Sequence, residues 1–188
     1  EIEMASWFCR AAIAAVTGTN GKTTTATLLG KLLDDAKVPS TVAGNIGSAV
    51  LDVLAAIEAG APWPDVFVLE LSSFQLETVS SLKPTAAAVL NVTPNHMDRY
   101  AGLADYAAAK ARVLNGTGIQ ILNRDDPYSR SMAKPGRRTF TFGLGEPELR
   151  GDWGIAERAG RAWLAEDGDR LLPLDELPVV GLQNAANA

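Results

Sequence analysis

The first predicted elements of the sequence are a short apolar strand, a glycine-rich turn and a helix. This succession constrains the fold more than any other feature. Residues 11–16 are all apolar, as expected for a strand covered on both faces. The turn at 18–24 contains two glycines and a lysine. Over 23–36 apolar side chains recur at helical spacing, and Pro39 ends the pattern. A strand and a helix joined by a tight turn form the first half of a β–α–β unit, so we expect a parallel sheet.

The turn is suited to hold phosphate. Its backbone N–H groups point into one concavity, and the helix N-terminus adds the positive end of its dipole. Gly18 and Gly21 permit a positive φ and the close approach of phosphate. Lys22 would neutralise the β- and γ-phosphates, and the Thr23 hydroxyl would coordinate Mg²⁺. Val16 stands where the usual P-loop has its first glycine, so the motif is a shortened G-x-x-G-K-T loop. The alternative is a glycine turn with an incidental lysine.

Strands and helices alternate along most of the remaining sequence, which is typical of an α/β protein with a mostly parallel sheet flanked by helices. After residue 151 the pattern changes, and turn signals at 159–160 and 167–169 predict a small antiparallel β segment near 152–173. Gly181 then precedes a last predicted helix. The other predicted strands cover 40–43, 65–71, 86–92, 119–123 and 138–142, and the other predicted helices cover 48–58, 103–114 and 126–133.

Composition excludes several classes of protein. Of the 188 residues 47% are hydrophobic and 21% are charged, as in ordinary globular proteins. The net charge of −5 argues against a nucleic-acid binder, because no excess of cations is present to displace counterions. A single cysteine, Cys9, cannot form an internal disulfide, and no apolar run reaches the roughly 20 residues that span a bilayer. Because the chain starts at Glu1 and a predicted helix is cut at Ala188, we expect a piece of a larger protein.

An acidic residue lies in an otherwise apolar strand. Glu70 would be costly to bury unless it is paired with a cation or a metal. Since the carboxyl ends of parallel strands line the crevice where ligands bind, Glu70 fits a Mg²⁺ ligand that faces the phosphate turn. The alternative is an edge-strand glutamate that points to water. Ser72 and Gln75 follow at once, and they could bind a polar substrate or cap the next helix, with Glu77 in its first turn.

Two further residues have open interpretations. His96 is the only histidine and also follows an apolar strand, so it could join Thr23 and Glu70 in one crevice. A lone histidine is otherwise a solvated loop residue. Lys110 lies on an alanine-rich helix, where a solvated lysine is the default interpretation.

Four segments together resemble the Mur ligases, ATP-dependent enzymes that add amino acids to the peptidoglycan precursor. They are 17–24, 44–47, 69–77 and 91–100. The last three are most similar to the branch of the family that adds D-glutamate. The resemblance covers essentially the whole chain and implies a central ATPase domain over 11–188, truncated at its C-terminal end. It also implies that 1–10 are a linker from an N-terminal domain, and that a C-terminal amino-acid-binding domain lies outside the chain.

The resemblance also implies a role for each matching residue. The ATP phosphates would be held by Gly18, Thr19, Asn20, Gly21, Lys22, Thr23 and Thr24, and asparagines that contact adenine match Asn184 and Asn187. Two Mg²⁺ ions would be held with the help of Thr23, Glu70, His96 and Lys110. Lys110 matches a lysine that is carbamylated from CO₂ or bicarbonate, which turns a cation into an anion. The residues that would face the UDP-sugar substrate are Asn45, Ser72, Gln75 and His96, and the catalytic set would be Lys22, His96 and Lys110.

The implied reaction is amide formation through an acyl phosphate, with UDP-N-acetylmuramoyl-L-alanine and D-glutamate as small-molecule substrates. We expect a monomeric bacterial cytoplasmic enzyme without nucleic-acid or membrane partners, and we expect this chain alone to be inactive. The alternatives are another Mur ligase, a folylpolyglutamate synthetase-like ligase, or a non-catalytic nucleotide-binding module. Two positions depart from the family, since Asn95 replaces a usual aspartate and Gln183 a frequent histidine.

Overall fold

A computed structural model describes residues 1–147 and 149–177. Within these ranges the α-helices are α1 (Ile2–Phe8), α2 (Lys22–Asp35), α3 (Val50–Glu58), α4 (Ser73–Leu76), α5 (Leu103–Ala111) and α6 (Pro127–Ser131). The strands are β1 (Ala12–Thr17), β2 (Ser40–Gly44), β3 (Val66–Glu70), β4 (Ala86–Val89), β5 (Ile119–Asn123), β6 (Thr139–Phe142), β7 (Trp153–Arg158), β8 (Arg161–Glu166) and β9 (Asp169–Pro173). Single 3₁₀ turns cover Arg112–Leu114 and Leu174–Glu176. None of the helices in these ranges has the length and apolarity that crossing a membrane requires.

The described strands form one sheet in the order β2-β3-β1-β4-β5-β6-β7-β8-β9. From β2 to β6 every neighbouring pair is parallel, and β7, β8 and β9 are antiparallel to one another. One parallel pair, Phe142 with Trp153, joins the two parts. The predicted α/β fold with an appended antiparallel segment is therefore confirmed. Because β1 lies between β3 and β4, the carboxyl ends of these three strands meet at one edge of the sheet.

The direction of each step along the sheet decides which face its helix covers, since crossovers between parallel strands are right-handed. The step from β1 to β2 runs one way and places α2 on one face. The steps from β2 to β3, β3 to β4, β4 to β5 and β5 to β6 run the other way and place α3, α4, α5 and α6 on the opposite face. We call the side that carries α2 the open face and the other side the covered face.

Strand side chains alternate between these faces, and within the described ranges the two sides bury different amounts. The main core lies on the covered face, where strand residues pack against α1, α3, α4 and α5; its strand members include Ile13, Ala15, Phe67, Leu69, Val89 and Leu122. The open face has a small cluster of Val16, Ala88, Leu90 and Phe142, with Ile121 and Trp153 partly buried beside it.

Three local features differ from the sequence prediction. Within residues 1–10, which were expected as a linker without an assigned element, Ile2–Phe8 form α1, and its Ile2 and Ala5 are buried in the main core. The Glu3 carboxylate accepts hydrogen bonds from the N–H groups of Ser80 and Ser81, which lower its pKa to about 2. The strand predicted over 86–92 ends at Val89, and the helix predicted over 103–114 changes to a 3₁₀ turn after Ala111. The domain boundaries stay predictions.

Candidate functional site

The carboxyl end of β1 runs directly into a tight turn at 18–21, the turn predicted to hold phosphate. Gly21 has a φ of 84° and stands at the N-cap position of α2, so the left-handed region favours glycine there. A Cβ on Gly18 would lie 3.0 Å from the Cβ of Leu90, because the chain after β4 passes close to the turn. Among the described residues no side chain caps α2, so its first N–H groups point toward the turn. The Lys22 Nζ donates to the Thr19 carbonyl oxygen at 3.0 Å.

Asn91 holds the turn from the neighbouring strand, a role that the sequence did not reveal. Its Oδ1 accepts from the backbone N–H groups of Thr19 at 3.1 Å and Asn20 at 2.8 Å. Its Nδ2 donates to the Asn20 carbonyl oxygen at 3.0 Å. The available signal was an amide near the end of the predicted apolar strand, two residues after the last residue of β4. Because β4 is parallel to β1, that position lies at the same edge of the sheet as the turn.

Glu70 faces the turn from the end of β3. The side chain is only 1% exposed. Its Oε2 accepts from the Thr23 hydroxyl at 2.9 Å, and its Oε1 accepts from the Asn45 side-chain amide at 2.8 Å. Both donors are neutral, and no ion pair to Glu70 occurs within residues 1–147 and 149–177. The alternative of an edge-strand glutamate pointing to water is therefore wrong, because β3 is enclosed between β2 and β1.

The loop after β2 reaches Glu70 through a required glycine. Gly44 has a φ of 108°, and a Cβ there would lie 2.4 Å from the Glu70 carbonyl oxygen. The next residue, Asn45, donates its backbone N–H to that oxygen at 2.8 Å. Asn45 was predicted as a substrate ligand, and in the structure it orients the carboxylate of Glu70.

Lys110 is buried beside the phosphate turn, so the solvated interpretation is wrong. It is 1% exposed, and its Nζ donates to the Gly18 carbonyl oxygen at 2.8 Å. Burial lowers the pKa of Lys110 to about 7, and the nearby Lys22 ammonium acts in the same direction. The helical pattern of α5 could not show this, because the contact depends on how α5 packs against the end of β1.

Tyr106 links several of these groups and was also missed from the sequence. Its ring, 2% exposed, has its centroid 4.5 Å from the Lys110 Nζ. The Thr19 hydroxyl lies 3.4 Å from the Tyr106 hydroxyl. The ring centroid of His96 lies 6.4 Å away at a steep angle. Tyr106 therefore fills the space between the phosphate turn, the buried lysine and the histidine loop.

His96 is exposed and belongs to an aromatic cluster rather than to the Glu70 contacts. Its backbone adopts a φ of 55°, and its N–H donates to the Asn95 Oδ1 at 3.0 Å. Its ring lies 4.7 Å from the ring of Phe74. In the described part of the chain the imidazole makes no hydrogen bond to Glu70 or Thr23. The structure thus brings Thr23 and Glu70 together but does not place His96 in contact with them.

Ser72 and Gln75 form a capping box on α4. The Ser72 Oγ accepts from the Gln75 N–H at 3.2 Å, and the Gln75 Oε1 accepts from the Ser72 N–H at 3.0 Å. These two side chains therefore cap the helix, while the Gln75 Nε2 takes no part in the box. Glu77, expected in the first turn, instead ends α4. Hydrogen bonds from Arg99 and Tyr100 lower the pKa of Glu77 to about 2.

The structure therefore gathers part of the predicted site at one edge of the sheet. The turn and the start of α2, at 18–24, lie beside Glu70 and Lys110, and Asn45 contacts Glu70. Farther from the turn, Ser72 and Gln75 lie at the start of α4, and His96 lies on the loop after β4. The predicted adenine contacts Asn184 and Asn187, and the departing residue Gln183, lie outside the described residues.

Comparison with known proteins agrees with this geometry. Residues 16–188 match the family described as the Mur ligase middle domain. A relative named UDP-N-acetylmuramoylalanine--D-glutamate ligase from Aromatoleum aromaticum is 53% identical over 93% of this chain and 38% of its own length. A relative of the same name from Thiobacillus denitrificans is 53% identical over 94% of the chain and 36% of its own length. The chain thus spans little more than a third of the curated relatives it matches.

Solved structures share the fold at low sequence identity. A MurF ligase from Thermotoga maritima in complex with ADP has a TM-score of 0.64 and 20% identity, over 86% of this chain and 39% of that one. A bifunctional folylpolyglutamate synthase/dihydrofolate synthase with Mn, AMPPNP and L-glutamate bound has a TM-score of 0.66 and 19% identity. It is matched over 99% of this chain and 55% of its own. Both likenesses support the architecture alone.

Proposed function

This chain belongs to the Mur ligase family, as a middle domain, and we propose that it is the ATP-binding part of a ligase that joins D-glutamate to UDP-N-acetylmuramoyl-L-alanine. One observation carries the proposal: a buried carboxylate, a buried amine and an ammonium group surround a single phosphate turn. They belong to Glu70, Lys110 and Lys22, and they do not form ion pairs with one another. The names of relatives at 53% identity support the choice of substrates.

The turn would bind the phosphates of ATP. Its glycines, the free N–H groups of α2 and the Lys22 ammonium all favour negative charge at this point. Lys22 now donates to the Thr19 carbonyl oxygen, and rotation of its side chain would bring Nζ onto the β- and γ-phosphates. Asn91 fixes the backbone of the turn, so little conformational entropy is lost on binding.

The residues present fit Mg²⁺. Glu70 is a buried carboxylate whose partners in the structure are a hydroxyl and an amide, and such a group is stabilised by a hard cation that prefers oxygen ligands. Thr23 and Glu70 would hold the ion, with His96 contributing after movement of its loop. When bound, Mg²⁺ would neutralise charge on the phosphate oxygens.

Lys110 would be carbamylated. With a pKa lowered to about 7, a substantial share of its amine is neutral at neutral pH and can attack CO₂. A bond then forms between Nζ and the carbon, one proton leaves the nitrogen for solvent, and the product carries a negative charge. Beside the Gly18 carbonyl oxygen, that anion would complete an oxygen-rich site for a second Mg²⁺ ion.

The reaction that follows is acyl activation and amide formation. The alanyl carboxylate attacks the γ-phosphorus, ADP leaves, and the amine of D-glutamate displaces phosphate from the acyl phosphate. Lys22 would stabilise the charge that shifts onto the leaving phosphate oxygens. Asn45 and His96, on the loops after β2 and β4, and the Gln75 Nε2, in α4, would orient the UDP-sugar substrate.

The proposal is tested by ADP formation in the longer protein that carries this chain. We expect ADP release that requires UDP-N-acetylmuramoyl-L-alanine together with D-glutamate. L-lysine, diaminopimelate and folate substrates should not support it. Lys22→Ala should lower the rate strongly, whereas Lys134→Ala, on an exposed loop, serves as a matched control. Activity with a different amino acid or with folates would favour the sibling ligases, and ATP binding without any product would favour a non-catalytic module.

A separate measurement addresses Lys110. Intact mass in bicarbonate should show the gain of one CO₂, and Lys110→Ala should lose activity that a short carboxylic acid restores. If neither the mass gain nor the rescue is observed, Lys110 is an unmodified buried amine. The 188-residue chain alone should form no product, and phosphate release by it on addition of both substrates would contradict this expectation.

A further inference from the structure

The histidine loop, residues 93–100, is attached to the site at both of its ends. At its start, the Thr93 N–H donates to a threonine hydroxyl of the phosphate turn at 3.0 Å. At its end, Arg99 donates to the carboxylate of Glu77, which lies at the C-terminal end of α4. His96 stands between the two attachments. The proposed reaction gives a role to the phosphate turn and to His96, but not to Glu77.

Glu77 accepts hydrogen bonds from two separate elements. The Arg99 guanidinium donates to both carboxylate oxygens, from Nε to Oε1 at 3.1 Å and from Nη2 to Oε2 at 2.5 Å. The Tyr100 hydroxyl donates to the same Oε1. The Arg112 side chain, in the 3₁₀ turn after α5, donates to the backbone carbonyl oxygen of Glu77. Glu77 therefore connects α4, the histidine loop and the end of α5.

The Arg99 guanidinium also lies over an aromatic ring. Its central carbon is 4.9 Å from the ring centroid of Phe74, so the group contacts the Glu77 carboxylate and this ring together. The same ring centroid lies 4.7 Å from the ring centroid of His96. A lysine could supply the charge, but not the bidentate and stacked geometry. Through Arg99, the position of α4 is thus coupled to the position of the imidazole.

The backbone at His96 requires support from its surroundings. Its φ of 55° lies in the left-handed region, which residues with a Cβ rarely adopt. Its N–H donates to the Asn95 Oδ1, and its carbonyl oxygen accepts from the N–H groups of Arg99 and Tyr100 at 3.0 and 3.3 Å. A strained conformation persists only where neighbouring contacts over-determine it. Because His96 is exposed, the contacts that hold Arg99 and Tyr100 to Glu77 supply part of that support.

We propose that Glu77 is a positioning residue, which fixes the end of the histidine loop so that the His96 imidazole faces the UDP-sugar substrate. The side chains of Arg99 and Glu77 are 54% and 26% exposed, and an ion pair at such a place contributes little to global stability. A bidentate pair joined by a hydroxyl and a ring instead restricts the geometry of the loop. The inference rests on the proposed function only for the ligand that His96 faces.

The position of the imidazole can be measured without any reaction. His96 is the only histidine of the 188-residue chain, so its imidazole NMR signals identify themselves. Glu77→Gln keeps the shape of the side chain and replaces one acceptor oxygen by an amide that cannot accept from the guanidinium. We expect the imidazole signals to lose most of the ring-current shift that the neighbouring aromatic rings cause. The matched control is Glu146→Gln, which removes an exposed ion pair with Arg158 of β7 and should leave the signals unchanged.

In the longer protein that carries this chain, Glu77→Gln should affect the two substrates differently. We expect a several-fold rise in the KM for UDP-N-acetylmuramoyl-L-alanine, and a change of less than about twofold in the KM for ATP, whose phosphates the turn holds. Arg99→Lys, which keeps the charge, should raise the first KM less. Tyr100→Phe removes one hydrogen bond and replaces Glu77→Gln in both measurements if that variant does not fold; its effects should be smaller but of the same kind. Glu146→Gln should change neither KM.

The outcomes separate this proposal from the proposed function. Unchanged imidazole signals in Glu77→Gln would overturn it, whatever the rates show. Shifted signals without a selective rise in the KM for the UDP-sugar substrate would also overturn it, because Glu77 would then hold the loop for a different purpose. If the unaltered longer protein forms no ADP with these substrates, the proposed function fails, and the imidazole signals alone then decide whether Glu77 positions His96.

Discussion

Among the residues that the structure describes, the two faces of the sheet differ in how much they bury, and the difference follows from the order of the strands. One step, from β1 to β2, runs against the other crossovers, so among the helices of residues 1–147 and 149–177 α2 lies on the open face, while α3, α4, α5 and α6 lie on the covered face. The covered face carries the main core, and the open face a cluster of four buried residues. The site lies where both sides meet, with α2 on one side of the turn and α5 with Lys110 on the other.

The largest expected effect is the difference in free energy of unfolding between alanine substitutions at two neighbouring β5 residues that point to opposite faces. Leu122→Ala should lower the free energy of unfolding by about 3 kcal/mol, because Leu122 is 1% exposed in the main core. Ile121→Ala, half-buried on the open face, should cost about 1 kcal/mol. Urea unfolding measures both. Equal costs for the two substitutions would break the comparison.

The next effect is the dependence of folding stability on pH that Lys110 causes. Its pKa is about 7 when folded and near the ordinary 10.5 when unfolded, so the unfolded chain binds more protons between these values. Stability should therefore rise with pH in this window, by about 1 kcal/mol between pH 7 and 8 in CO₂-free buffer. Lys110→Met should remove that rise. A slope that persists in the variant would assign it to another group.

A smaller effect concerns the capping box at the start of α4. Ser72→Ala removes the acceptor for the Gln75 N–H and should lower the free energy of unfolding by about 1 kcal/mol. Ser131→Ala, which removes an exposed hydroxyl bonded to the Tyr128 carbonyl oxygen, is the control and should cost less. Thermal unfolding of both variants measures the stability that each substitution removes. Equal losses would mean that the box contributes little beyond an ordinary surface hydroxyl.

The smallest effect belongs to α2, the helix on the open face. Lys31 and Asp35 form an ion pair with side chains 64% and 60% exposed. A double-mutant cycle with alanine should give a coupling free energy of about 0.3 kcal/mol, and salt should reduce it. A coupling above 1 kcal/mol would show that this surface is less solvated than the structure indicates.

The fold was largely predictable, whereas the pairing of side chains at the site was only partly so. Apolar runs and turn residues placed β1, β3 and β5 within about two residues, because short-range pattern determines these elements. The order of strands is a tertiary property, and the open face depends on it. Thr23 and Glu70 were foreseen from two strand ends. Asn91 and Tyr106 were missed, since no local pattern distinguishes their side chains from ordinary polar or core residues.

Lys110 shows the same limit more sharply. Its neighbours in α5 describe a helix with a solvated lysine at its border, and the resemblance to a family, not the local pattern, indicated a role. The structure buries it through a contact with Gly18, which is distant in sequence. Helix α1 is a second example, because Ile2 and Ala5 are core residues through tertiary packing, including contacts between α1 and α3.

The central position of β1 has a consequence for synthesis of the chain. β1 is made first among the strands, yet its neighbours β3 and β4 are made later, the first beginning about 50 positions after Thr17. At about 5–20 residues per second, this leaves an unpaired apolar strand near the ribosome for several seconds. Folding must then wait for contacts between distant parts of the chain, which slows it and favours chaperone binding to residues 11–17 before the phosphate turn can form.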